Sequence, residues 1–146
     1  MRMKPWPWTG KSPRDRVGRR LAAPQLLRAL NRTRGTLLAA RLEVANSGPA
    51  RRKGLLGRKG LAGGEGLWII PCESVHTFFM RFAIDLVYLD RQNRVKKVRS
   101  RVGPWRLSAC FSAYSVIELA AGAVHSSHTE RGDTLEFEPA AADGNP

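Results

Sequence analysis

The chain has 146 residues, 42% hydrophobic and 25% charged, with twenty-five Lys and Arg against twelve Asp and Glu for a formal net charge of +13. That length and composition fit one domain with an ordinary core; two cysteines exclude a disulfide-rich scaffold, and no apolar run approaches the ~18–20 residues of a membrane span. Pro5, Pro7 and Pro13 interrupt the basic start, so no cleaved leader is expected and the chain reads as soluble and cytoplasmic.

The charge is concentrated at one end. Residues 1–60 carry sixteen basic side chains against Asp15 and Glu43, whereas residues 61–146 carry nine against ten acidic ones. Residues 1–35 therefore read as a basic, disordered arm, with Leu21 to Leu30 a weak helix inside it. Arg14, Arg16, Arg19 and Arg20 are the candidates there for neutralising the phosphates of a nucleic acid, with Trp6 or Trp8 stacking on bases. A compact domain is expected over 36–139 and a frayed tail over 140–146. In chain order, Thr36 to Ala45 predicts a strand and Pro49 to Leu56 a helical turn. The glycines from Gly57 to Gly66 then form a connection that lacks the spacing of a phosphate loop. Leu67 to Ile70 predicts an apolar strand, and Thr77 to Phe82 a further extended piece. Ile84 to Asp90 predicts a central strand with two apolar faces. Arg91 to Arg94 is the hairpin turn into Val95 to Val102, an edge strand with Val95, Lys97, Arg99 and Arg101 on one face. Tyr114 to Leu119 and Thr134 to Glu138 complete the strands, and Ala120 to Ser127 predicts a short helix. About six short strands with one or two short helices predict a mainly β, β-rich α+β domain, barrel or sandwich-like.

Several motifs stand in a recognisable order: Gly54-Leu-Leu-Gly-Arg58, Gly64-Glu-Gly-Leu-Trp-Ile69, Val75-His-Thr-Phe-Phe-Met80 running on to Ile84-Asp85, then Val116-Ile-Glu-Leu119 and Gly132-Asp133. With these the chain resembles the family called domain of unknown function 192, also uncharacterised protein family 0127, over roughly residues 37–138. The resemblance implies a compact β-rich domain of bacterial type with no established activity. Ala83 stands where the family often has proline, and Arg81-Phe82 where it often has asparagine-threonine.

The reactive residue types gather in Pro71 to Asp85 and in Trp105 to Cys110, which are expected to line one shallow site. Trp68, His76, Thr77, Met80, Asp85, Trp105, Arg106 and Cys110 are its ligand-binding candidates, because apolar walls with a few convergent polar groups make a binding pocket. Cys72 or Ser74 with His76 as base and Asp85 as orienting carboxylate is the enzyme alternative. No nucleophile elbow accompanies that set, so the sequence leans away from catalysis. Cys72, His76 and Cys110 are the side chains a zinc ion would use, with Asp85, His125 or His128 as fourth ligand. The spacing lacks a second metal-binding pair, so no cofactor is expected and zinc stays open. Both cysteines also read as small buried hydrophobes, and Asp85, between two apolar neighbours, needs Arg81, Arg58 or an amide as partner. Binding of a small molecule or protein is the leading function, with nucleic acid through the arm as a further alternative; neither the partner nor the oligomeric state can be read from these residues.

Overall fold

The computed structural model describes residues 26–141. The candidate nucleic-acid residues Arg14, Arg16, Arg19 and Arg20, and the tail from residue 142, lie outside the described residues. The elements run β1 (Leu27–Asn31), β2 (Thr36–Ala45), α1 (Gly48–Lys53), β3 (Glu65–Ile69), β4 (Ser74–His76), β5 (Ile84–Leu89), β6 (Val95–Val102), β7 (Leu107–Ala109), β8 (Ser115–Ala120), α2 (Ala123–Ser127) and β9 (Leu135–Pro139). Seven strands form one sheet in the order β6-β5-β8-β3-β2-β1-β9, and β4 with β7 forms a separate two-stranded piece. Every neighbouring pair is antiparallel except β2 and β3, which α1 and the glycine-rich connection join. The two ends of the large sheet meet: Arg94 bridges Thr134, and the Val95 amide donates to the Asp133 carbonyl at 2.8 Å. The sheet is thus curled into a half-barrel, as the β-rich composition predicts.

Alternation along the strands divides the buried residues between two faces. Inside the curl lie Leu42, Trp68, Val87, Leu89, Ile117, Leu119, Leu135 and Phe137. Trp68 stacks on Phe137 with ring centroids 3.9 Å apart, spanning the interior from β3 to β9. On the other face Leu67, Ile69, Leu86, Tyr88 and Val116 pack against Leu55, Val75 and Met80 from α1's loop and the β4 lobe. Every residue of β5 is buried, as its two apolar faces predict.

Four expectations change. Leu27–Asn31 is a strand rather than part of a helix: Leu27, Ala29 and Asn31 are buried alternately, and β1 pairs with both β2 and β9, so long-range pairing overrides local helix preference. The compact unit therefore begins before Thr36. Asn31 anchors β1 by donating to Thr129 Oγ1 at 3.1 Å and Asp133 Oδ2 at 2.9 Å. Burial alone would raise the Asp133 carboxyl, but hydrogen bonds from Asn31, the Glu130 amide and Arg34 hold it below its ordinary range. Second, Thr77 to Phe82 is a turn, with Phe79 at φ 64° and the Met80 amide donating to the Thr77 carbonyl. Third, β6 carries a bulge near each end. Val95 consequently faces the curl interior, while Lys97 and Arg99, opposite Tyr88 and Leu86, face the other side. Fourth, β4 and β7 are strands where the sequence suggests turn and loop.

Gly66 sits where β3 presses on β8 and β2. A Cβ there would stand 2.8 Å from the Glu118 carbonyl oxygen, 2.9 Å from Leu119 Cδ2 and 3.0 Å from Leu42 Cδ1. A carbonyl in a central ladder cannot retreat, so Gly66→Ala should lower unfolding free energy by about 2 kcal/mol. A urea midpoint unchanged by the substitution would show that the strands have slack here.

Candidate functional site

The site lies on the face opposite the curl interior, where α1 and β4 cross the ends of β3 and β8. Local chemistry fixes α1: the Ser47 side chain accepts from the Ala50 amide at 3.2 Å, a proline stands in the first turn, and Gly54 ends the helix at φ 48°. Its last turn presents Arg51, Arg52 and Lys53, all exposed. The Arg51 guanidinium donates to the Pro71 carbonyl at 3.2 Å, tying the helix to the loop that leads into β4.

A broad groove of about 1130 Å³ opens between Arg51 and Arg52, Pro71 to Ser74, Asp90 to Gln92 and Ser112 to Tyr114. A recess of about 80 Å³ adjoins it and shares Arg51, Arg52, Ile69, Cys72 and Ser74. His76, Met80 and Leu55 wall the recess, and Glu118 on β8 reaches it from the sheet. Glu118 is 3% exposed. Among the described residues, its Oε2 has no hydrogen-bond partner. Burial pushes its carboxyl up to about 7, opposed only by the charge of Arg58.

Cys72 and His76 both line the recess. The Cys72 thiol donates to the Ser74 carbonyl at 3.1 Å, and burial, with Glu118 adding to it, pushes the thiol's pKa up. A raised thiol is a poor nucleophile at neutral pH. Cys110 lies apart from the recess, its Sγ 3.5 Å from Ser112 Oγ. Among the described residues, no three His, Cys, Asp or Glu side chains come together as a metal-holding group, so the zinc set sketched from Cys72, His76 and Cys110 is not assembled.

Other sequence candidates have structural duties. Asp85 points into the curl and not toward His76: its carboxylate accepts from the amides of Arg101 at 2.8 Å, Gly122 at 3.1 Å and Val124 at 2.9 Å. Backbone amides, rather than Arg81 or Arg58, satisfy it. Trp68 is on that same interior face, its Nε1 donating to Ser115 Oγ at 2.9 Å, so it cannot touch the recess. Buried Thr77 clamps the β4 and β7 lobe: its hydroxyl donates to the Gly103 carbonyl at 2.7 Å and accepts from the Arg106 amide at 2.9 Å. Trp105 and Arg106 are exposed on the outside of that lobe. From the sequence, Glu118 stands beside Asp85 as a carboxylate inside an apolar run, Val116-Ile117-Glu118-Leu119, that needs a partner, but neither it nor Arg51 and Arg52 is among the site candidates.

Two stability measurements follow. Asp85→Ala strands three amide donors and should cost about 3 kcal/mol in urea unfolding; a loss below about 1 kcal/mol would mean that those amides find other partners. For Glu118 the folded pKa is raised from 4.5 to about 7, so the folded state binds more protons between those values and stability falls as pH rises through them. Glu118→Gln removes that decline. Between about pH 5 and pH 8 its stability relative to wild type should therefore rise by about 3 kcal/mol, and parallel pH profiles would contradict the buried, uncompensated carboxyl.

The fold and the recess can be set beside known proteins. A UPF0127 protein of Thermococcus sibiricus is 29% identical over 115 residues, covering 75% of this chain and 73% of the relative. A UPF0127 protein of Thermococcus kodakarensis is 28% identical over 116 residues, with the same coverage. Both are archaeal, so they lend nothing to the bacterial type expected from the sequence. Two solved structures share the fold. A candidate transcription regulator of Sinorhizobium meliloti superposes with a TM-score of 0.68 at 20% identity, covering 79% of this chain and 94% of that one. A protein of unknown function from Novosphingobium aromaticivorans gives 0.64 at 18%, covering 76% and 83%. The family model DUF192, Uncharacterized ACR, matches residues 29–137, and with most of the half-barrel inside that match the chain belongs to the DUF192 family.

Proposed function

We propose that this domain is a binding module for a small polar molecule with an anionic group. The ligand lies in the groove beside α1 and reaches with a hydrogen-bonding end into the recess over Glu118. The observation that carries this reading is the buried Glu118 oxygen without a partner. An orphaned polar atom in an apolar face is costly, and a ligand acceptor in the recess removes that cost. Near neutral pH a large fraction of the Glu118 carboxyl is protonated and can donate to it. Arg51 and Arg52 supply the complementary charge at the rim, and Cys72, Ser74, His76 and Met80 shape the walls. The raised Cys72 thiol and the amide-bound Asp85 speak for binding rather than for a thiol- or histidine-dependent enzyme. Two cysteines free of any disulfide suit a reducing, cytoplasmic setting.

Thermal unfolding of the full chain in the presence of small carboxylic acids, sulfonates and phosphate monoesters tests the reading. At least one class should raise Tm at about pH 6, by mass action on the folded state. Arg52→Ala should abolish the rise, and Glu118→Gln should weaken it. A Tm insensitive to every class, or a rise that survives Arg52→Ala undiminished, would sink the proposal.

A further inference from the structure

Among the described residues, five large hydrophobic side chains are exposed, and four of them, Phe79 (73%), Trp105 (57%), Leu107 (70%) and Phe111 (81%), belong to the β4 and β7 lobe. They are arranged, not scattered. His76 stacks on Phe78 at 5.1 Å, Phe78 on Trp105 at 5.7 Å, and Trp105 meets Phe79 at 4.7 Å. Leu107 is the cross-strand partner of His76, so it stands on the same outer face, and Phe111 lies two residues beyond the end of β7.

The backbone holds this ladder open. Phe79 and Trp105 both take positive φ, 64° and 60°, which bulky residues avoid. Hydrogen bonds between Thr77 and each of Gly103, Trp105 and Arg106 fix the two loops together. A strained conformation that leaves rings in water gains nothing from burial within the chain and points to a partner. The charge around the lobe is predominantly positive, with Glu73, whose carbonyl accepts from the Cys110 amide at 2.8 Å, as the acidic residue at its foot. Residues 74–84 contain no Asp or Glu, and residues 91–117 contain seven Arg and Lys with no acidic residue at all. Arg81 and Arg106 flank the rings and are exposed, while β6, with Lys97 and Arg99 on the lobe's side, leads straight into Gly103-Pro104-Trp105.

We infer that this face binds single-stranded nucleic acid, with bases stacking on Trp105, Phe79 and Phe111 and phosphates held by Arg81 and Arg106. A polyanion that carries its own flat aromatic groups matches both halves of the surface, the ring ladder and the excess of cations. The rings stack on one another with the exposed Arg81 and Arg106 beside them, whereas Lys97 of β6 is taken up by the Ala109 carbonyl at 2.7 Å; a single strand follows the rings and their flanking arginines. This contact involves neither the recess nor residues 1–35.

The test is fluorescence anisotropy of a fluorescein-labelled oligothymidylate with the full chain, in parallel with sedimentation on phosphatidylcholine–phosphatidylglycerol vesicles. Because residues 1–35 are also basic, the ring variants decide. Trp105→Ala with Phe111→Ala should weaken oligonucleotide binding at fixed salt by about tenfold or more, with the salt slope unchanged. Arg81→Ala with Arg106→Ala should flatten the slope of log K against log salt by about 1 to 1.5, at ~0.7 per phosphate contact. All four side chains are exposed, and circular dichroism checks that the variants fold. Failure of the wild type to bind the oligonucleotide, or binding indifferent to the ring substitutions, would overturn the inference. Vesicle binding lost with the rings while oligonucleotide binding persists would assign the face to a membrane surface instead.

Discussion

A single carboxylate inside the curl holds the half-barrel in register. Asp85 is fully buried, and three backbone amides from two separate segments converge on it. One amide belongs to Arg101 in the bulge near the end of β6; the others belong to the turn that begins α2. Without that carboxylate the bulge would leave an amide unsatisfied, and α2 would lose the group that receives its first-turn donors. The face on which Lys97 and Arg99 emerge, and the cover that α2 gives to the interior, both follow from this contact.

The sheet holds a second buried carboxylate on its other face, and the contrast between the two is informative. Glu118 lies one strand from Asp85, buried almost as deeply, yet one of its oxygens meets no donor. Burial penalises its charge so strongly that its pKa approaches neutrality, whereas the bonds to Asp85 come from amides fixed by the fold. An apolar residue at position 118 would serve packing better. A carboxyl at the edge of a recess, beside a helix whose exposed end is basic, is a feature that packing does not explain and that the binding we propose would.

The strands that bury both faces or alternate cleanly were legible in the sequence. β2, β5, β8 and β9 fall where their apolar periodicity puts them, and Asn93 adopts the positive φ expected of the hairpin turn. β1 was not legible, because Leu26, Leu27 and Leu30 also suit a helix face and the pairing with β9 comes from more than a hundred residues away. The bulges in β6 were hidden for a related reason: an extra residue flips the faces, and only the β5 register reveals it. Cys72, His76 and Met80, named from the clustering of reactive types, all line the recess. Trp68 and Asp85 were wrongly included because sequence proximity does not say which face of a strand a side chain takes. Glu118 reads like Asp85 in the sequence, because a carboxylate in an apolar strand has two outcomes, satisfied or orphaned, that only the surrounding backbone distinguishes.

The proposed ligand site rests on Glu118 being a buried carboxyl that titrates near neutrality, and its side-chain carbon can report this directly. In the full chain labelled with carbon-13 at glutamate carboxyls and assigned by Glu118→Gln, one resonance should titrate near pH 7, well apart from the others. A Glu118 resonance that titrates near its ordinary 4.5 would mean that water or a cation reaches the carboxyl, and the recess would no longer be a site awaiting a ligand.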